Sequence, residues 1–271
     1  MMRSLFTAAS GMRALQTSVD NISNNIANVN TVGYKSQKTE FKSLLYQTLQ
    51  TKTTSANGEE KPISAQVGLG TRVASNTSIF TQGALQASEN NSDFAIEGKG
   101  FFAVRGADGQ VYYTRNGSFS WSIGTTGTTL ATSDGYPVLD TNGNPIVLPA
   151  GINSGNAEIT SDGTVGYTNA DGEIVSLNQQ FGLFQFNNTG GLEKLASSLL
   201  RVTDASGAAL NEATVAGLEK SKVVQGYLES SNVQVADEMV NLIIAQRAYQ
   251  LNSKAITTSD EMLEQANNLK R

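Results

Sequence analysis

Leu5, Ala8, Met12, Leu15, Val19, Ile22, Ile26 and Val29 step by three and four residues without an error. That is an a/d heptad seam sustained over about four heptads, or roughly 40 Å of helix. The far end of the chain repeats the device. Val235, Leu242, Tyr249, Ile256 and Leu263 fall seven apart, with Met239, Ile243, Met262 and Leu269 beside them. Their companion positions Gln246, Ser253 and Asp260 are polar, so this stripe is narrower. Proline is absent from residues 1–61 and after Pro149, so nothing blocks a long helix at either end. Gly33 offers a C-terminal stop for the first helix, with Tyr34 and Phe41 beyond it. The run KTEFKSLLYQTLQ predicts a second, shorter helix within residues 37–50.

Asparagines crowd the first seam at positions 21, 24, 25, 28 and 30. Each is a poor helix former, because its short amide competes for nearby backbone groups. On a solvated surface each costs several tenths of a kcal/mol relative to alanine. In a crowded helical assembly the amides of Asn24, Asn25 and Asn28 can instead bond to neighbouring chains.

Between residues 65 and 220 the pattern changes to short apolar runs separated by Gly, Thr, Ser and Asn. Asp108-Gly109, Asn116-Gly117, Asp134-Gly135, Asn142-Gly143, Asp162-Gly163 and Asp171-Gly172 each read as a tight turn. The flanks FFAVR, QVYYTR, YPVLD, PIVLP, TVGYT and EIVSL read as strands. The expected fold is α+β: long N- and C-terminal helices paired as a coiled coil, flanking a central all-β domain. Residues 1–32 and 233–271 form the helical part, 33–70 a connecting segment and 71–232 the β domain. The first seam is set apart from the β core by a polar linker that includes Thr51–Gly58, so it suits partners outside that core. The termini are therefore expected to be loosely helical in the isolated chain.

The chain has no Cys and no His, which removes thiol chemistry, Cys/His metal sites and Ser-His-Asp triads together. The acid pairs Asp237/Glu238 and Asp260/Glu261 are adjacent on predicted helices, where neighbouring side chains diverge. Asp93 and Glu97 flank an apolar strand and form no evident constellation. The run Gly98-Lys99-Gly100-Phe101 lacks the spacing of a phosphate loop, and a bulge is its simpler reading. Arg247 is a candidate for an ion pair between subunits. Net charge is −5, distributed as +3 over residues 1–50, −7 over 51–220 and −1 over 221–271. No concentrated basic face suggests nucleic acid. No cofactor, metal or small-molecule substrate is expected, and the start MMRSLFTAASGM lacks the apolar stretch of a cleaved signal.

Specific motifs then add to this reading. ASGM followed by NNIANVNTVGYK, the central GKGFFAV and YTRNGSF, and YLESSNVQVADEMVNLIIAQRAYQLNSKAITTSDEML near the end resemble the signatures of bacterial flagellar rod and hook proteins. LLYQTLQ, VGLGTRV and TQGALQ, with the chain length, are most similar to the distal-rod members of that family. The resemblance implies a non-enzymatic subunit, exported through the flagellar type III channel and polymerised helically with copies of itself. Other rod proteins and the hook protein would be its neighbours. Leu5, Met12, Leu15, Val19, Ile22, Ile26 and Val29 of the first seam, with Leu242, Tyr249, Ile256 and Leu263 of the last, would pack subunits. Gly33 and Tyr34 would open the connector thought to set rod stiffness. The alternatives are a proximal rod or hook subunit, or a secreted β-rich adhesin or glycan-binding module. The single tryptophan, Trp121, gives the last little support.

Overall fold

The computed structural model describes residues 2–50, 65–123, 127–149, 152, 154–169 and 174–269. The Thr51–Gly58 linker and the Asp171-Gly172 turn lie outside them. The fold is α+β, with a helix at each end and a β-rich centre. Two compact units emerge. One comprises residues 1–27, 37–77 and 234–271; the other comprises 28–36 and 78–233.

In the first unit, α1 (Met2–Ala27) and α2 (Val235–Asn268) pack against each other. Ser4 Oγ lies 3.4 Å from Ser259 Oγ, and Asn25 Nδ2 donates to Glu238 Oε1 at 3.1 Å. A Cβ placed on Gly11 would lie 3.1 Å from Asn252 Nδ2. Residue numbers fall along α2 as they rise along α1, so the helices run antiparallel, and the contacts recur at multiples of seven residues. Ala245, buried on α2, continues the line. The meeting face of α1 is thus Ser4, Gly11 and Asn25, one position before each of Leu5, Met12 and Ile26. Small side chains let the backbones approach, and the larger apolar ones flank the contact.

α1 ends at Ala27, earlier than the seam suggested, so Val29 is not helical. Asn28 explains the stop: its carbonyl accepts from Thr31 N at 3.2 Å and its Oδ1 from the Thr31 hydroxyl at 3.1 Å. That local turn outcompetes another helical residue.

Residues 37–50 are not a helix. They form β1 (Gln37–Ser43) and β2 (Tyr46–Gln50), which pair with β4 (Thr71–Ser78) and β3 (Ala65–Gly68) respectively. The β2–β3 pairing is antiparallel, with Tyr46 opposite Gly68 and Thr48 opposite Gln66. Cross-bonds from Leu44 N to Gly70 O (2.9 Å) and Leu69 N to Leu45 O (3.2 Å) join the two pairings. Thr39, Phe41, Tyr46 and Thr48 favour strand once a partner satisfies the ladder, and context overrides the weak helical pattern.

The second unit is built on a six-stranded sheet. Its order is Glu193–Lys194, Leu199–Arg201, Val111–Thr114, Phe101–Arg105, Leu183–Gln185 and Leu210–Asn211. Phe101 and Phe102, adjacent in FFAVR, point to opposite faces and enter two cores. Phe102 packs with Phe94, Phe119 and Phe181; Phe101 with Phe80, Phe186 and Leu139. Burial on both faces accounts for an unbroken apolar run where an alternating one would suit a half-exposed strand.

Gly109, Gly135, Gly143 and Gly163 take positive φ in their Asx-Gly turns. Asn116-Gly117 is different. Asn116 Oδ1 accepts from Ser118 N at 3.0 Å in an Asx turn, and a Cβ on Gly117 would lie 1.6 Å from Phe94 O. That glycine serves close packing under the core, not a hairpin. YPVLD joins through single bridges, Val104 with Val138 and Leu139 with Pro145 among them.

Candidate functional site

No group of three or more Asp and Glu residues among those described is placed to hold a metal. The predicted acids have structural duties. Asp93 is buried and accepts from Ser88 Oγ at 2.5 Å, while Asp237 and Glu238 occupy the first turn of α2, where they suit the helix dipole. The Gly98–Phe101 run is a packing element. Gly100 N donates to Ser221 Oγ at 2.9 Å, and a Cβ there would lie 2.6 Å from Glu212 Oε1. Trp121 is partly buried against the first core cluster. Arg247 bonds Gln250 one turn along its own helix at 3.2 Å. The described residues offer instead several buried polar junctions, two of which bear on the ends of the chain, and a set of open apolar faces.

The first junction is Asn25, which is 1% exposed. Its Oδ1 accepts from Gln37 N at 2.9 Å, and its Nδ2 donates to Gln37 O at 2.9 Å, so the amide mimics a β-ladder partner for the start of β1. The same Nδ2 reaches Glu238 on α2. One side chain therefore ties α1, β1 and α2 together. Asn21 adds a 2.8 Å bond to the Thr39 hydroxyl. Asparagines expected to reach across to neighbouring chains are thus used inside this one: Asn21 and Asn25 on the strand, Asn28 on the helix end. Asn24 is exposed on the helix surface.

The second junction lies in the β-rich unit, and the sequence reading missed it. Glu229, 1% exposed, receives Lys35 Nζ at 2.6 Å, Arg115 Nη1 at 3.2 Å and the Gly83 amide at 2.8 Å. Lys35 Nζ also donates to Thr81 O at 2.7 Å, and Arg115 Nη2 to Gly98 O at 2.7 Å. The guanidinium stands over the Phe101 ring at 5.0 Å. Burial pulls both cations below their ordinary pKa values, an effect that the Glu229 carboxylate opposes in each case. Arg115 Nε has no acceptor among the described residues. Gly33 completes the lock: its N–H donates to Glu229 O at 2.8 Å, and its φ of +68 brings it against the Arg115 carbonyl, where a Cβ would lie 2.7 Å away. Tyr34 carries Lys194 over its ring at 5.4 Å. Although Lys194 is largely exposed as a residue, burial of its ammonium lowers the pKa to about 8. The signal was present in the sequence as one charged residue each in VGYK, YTRNG and YLESS, but their convergence is a property of the fold.

The seam residues divide. Leu5, Met12, Leu15, Val19 and Ile26 are half-buried and Ile22 is buried. On α2, Leu242, Ile256 and Leu263 are half-buried, whereas Tyr249 is 41% exposed. The companion positions that α2 turns inward are Ala245, Asn252 and Ser259, each one residue before the polar set expected. The ribbon of β1–β4 exposes Phe41, Leu45, Tyr46, Leu49 and Val67.

Three family profiles match the chain in order. They are described as flagella basal body rod protein (residues 5–35), flagellar hook protein FlgE/F/G D1 domain (95–167) and flagellar basal body rod FlgEFG protein C-terminal (224–269). The flagellar basal-body rod protein FlgG of Borreliella burgdorferi is 43% identical, with 100% of both chains covered. That of Bacillus subtilis is 41% identical, again with 100% of both covered. That of Caulobacter vibrioides is 39% identical over 99% of this chain and 100% of its own. The profiles match both junction-bearing ends and the centre, and the likeness spans the full length. The chain therefore belongs to the flagellar basal-body rod protein FlgG family, whose members are structural proteins of the basal body and not enzymes.

Proposed function

We propose that the chain is the distal-rod subunit, polymerising helically into the hollow shaft that carries motor torque to the hook. Its partners in this reading are copies of itself, other rod proteins and the hook protein, after delivery by the flagellar type III export apparatus. The observation that carries the reading is a division of surface chemistry. The β-rich unit closes its aromatic core, whereas the helices and ribbon leave many large apolar side chains open, from Phe6 at 72% to Leu45 at 83% exposure. Such faces on separate elements suit repeated contacts, and contacts between unlike patches build an open helical array.

Torque transmission asks for connections that resist bending. Gly33 and Tyr34 serve in this reading as the connector; Gly33 N donates to Glu229 O at 2.8 Å and Tyr34 O accepts from Asn232 N at 3.4 Å, both within the β-rich unit. Residues 33–70 act in this reading as the rod-specific connecting segment, with 1–32 and 233–271 lining the tube and 71–232 as the β domain. The terminal helices pair as a coiled coil that the assembly completes.

Deleting the gene tests the assignment. The expected outcome is a truncated rod in purified basal bodies, restored by the full-length chain. A complete rod lacking only the hook would transfer the assignment to a hook subunit.

A further inference from the structure

Residues 222–232 lie at the sequence end of the β-rich unit, and they bind its beginning. Lys222–Gln225 pairs antiparallel with Phe94–Glu97, and Tyr227–Glu229 with Leu85–Ala87. Gly226, at φ +72, is the corner between the two pairings, and its N–H donates to Asp93 O at 2.8 Å. Beyond them Ser230 N donates to Ala84 O at 2.9 Å. The Asn232 amide then spans two further segments. Its Oδ1 accepts from Ser36 N at 2.8 Å, and its Nδ2 donates to Ile79 O at 2.8 Å. Lys35 and Arg115 are both buried, and Glu229 bridges them.

We propose that residues 226–232 are the latch of the β-rich unit: they dock last in folding, and residues 33–36 stay undocked until they do. Charge and chain entropy both set this order. Docking of residues 33–36 buries Lys35 beside Arg115, and two desolvated cations are disfavoured until the Glu229 carboxylate arrives. Along the chain Glu229 stands 194 residues from Lys35 and 146 from Gly83, and Asn232 stands 196 from Ser36. The core starts instead from short-range pairings, Phe102 with Thr114 and Leu130 with Trp121 among them. Such hairpins close at less entropic cost, so they precede contacts that span most of the unit. A chain growing from its N-terminus therefore stays unlatched until residue 232 is made. In the rod-subunit reading this leaves an open chain for export; that consequence rests on the reading, whereas the latch does not.

Pulse-labelled hydrogen exchange during refolding of the full-length chain tests the order. The amides of Gly83 and Ser36 report the latch, because Glu229 Oε1 and Asn232 Oδ1 accept from them. The amides of Ala103 and Leu130 report the core. Gly83 and Ser36 are expected to gain protection about tenfold more slowly than Ala103 and Leu130. Equal or earlier protection would overturn the latch. Asn232→Ala gives an independent measure. It should speed unfolding about tenfold, while the refolding rate, followed through Trp121 fluorescence, changes by less than about twofold. A refolding rate that falls as far as stability does would equally overturn the latch. Either failure leaves the rod assignment intact, since gene deletion decides that separately.

Discussion

Glu229 takes three donors on one buried carboxylate, and two of them are full charges that desolvation already disfavours. The pair partners matter more than any net gain, because a buried ion is costly chiefly when left alone. Glu229→Gln keeps the shape and removes the charge, leaving Lys35 and Arg115 without a counter-ion at the junction. We expect a loss of about 3–5 kcal/mol in denaturant unfolding of the β-rich unit. Adding Lys35→Met to that variant should recover part of the loss, since one uncompensated cation is then gone; equal costs for the single and double variants would contradict this account. Nothing in residue spacing could have announced the cluster, whose three members stand at positions 35, 115 and 229.

At the scale of elements, the Asn25 side chain decides how α1, β1 and α2 meet. Its hydrogen bonds include those to Gln37 N, Gln37 O and Glu238, made from a buried site. Asn25→Ala strands both polar groups of Gln37 and should cost about 1–3 kcal/mol, with faster amide exchange at Gln37–Thr39. The asparagine excess was visible in the sequence as an anomaly, but its resolution was not. Helical periodicity places Asn21, Asn25 and Asn28 on a common side without saying whether a strand of the same chain or another subunit lies there. The strand itself was misread for the same reason. Residues 37–50 carry a mixed pattern, and pairing with residues 65–78 settles it.

For the whole molecule, the helix pair and the β-rich unit differ in what holds them. The β-rich unit buries four phenylalanines in one core and a second aromatic group on the other sheet face. The α1–α2 contact is lined largely by Ser, Gly, Ala and Asn, which bury little apolar area, while the larger apolar residues of the helices other than Ile22 stay half or fully open. Amide exchange on the purified monomer should therefore be fast along residues 2–27 and 235–268 and slow in strands such as Phe101–Arg105. Equal protection across both would show that the helices are already complete without neighbours.

The amino-acid sequence alone determined the two terminal helices, the turn-rich β centre and the family signatures. Each rests on local period, turn chemistry or contiguous motif, which need no knowledge of partners. The tertiary structure alone decided the rest: where α1 stops, that residues 37–50 pair as strands, which line of α2 faces inward, and that Lys35, Arg115 and Glu229 share one buried site. These depend on what lies across from a residue, and a heptad seam looks the same whether its partner is the same chain or the next.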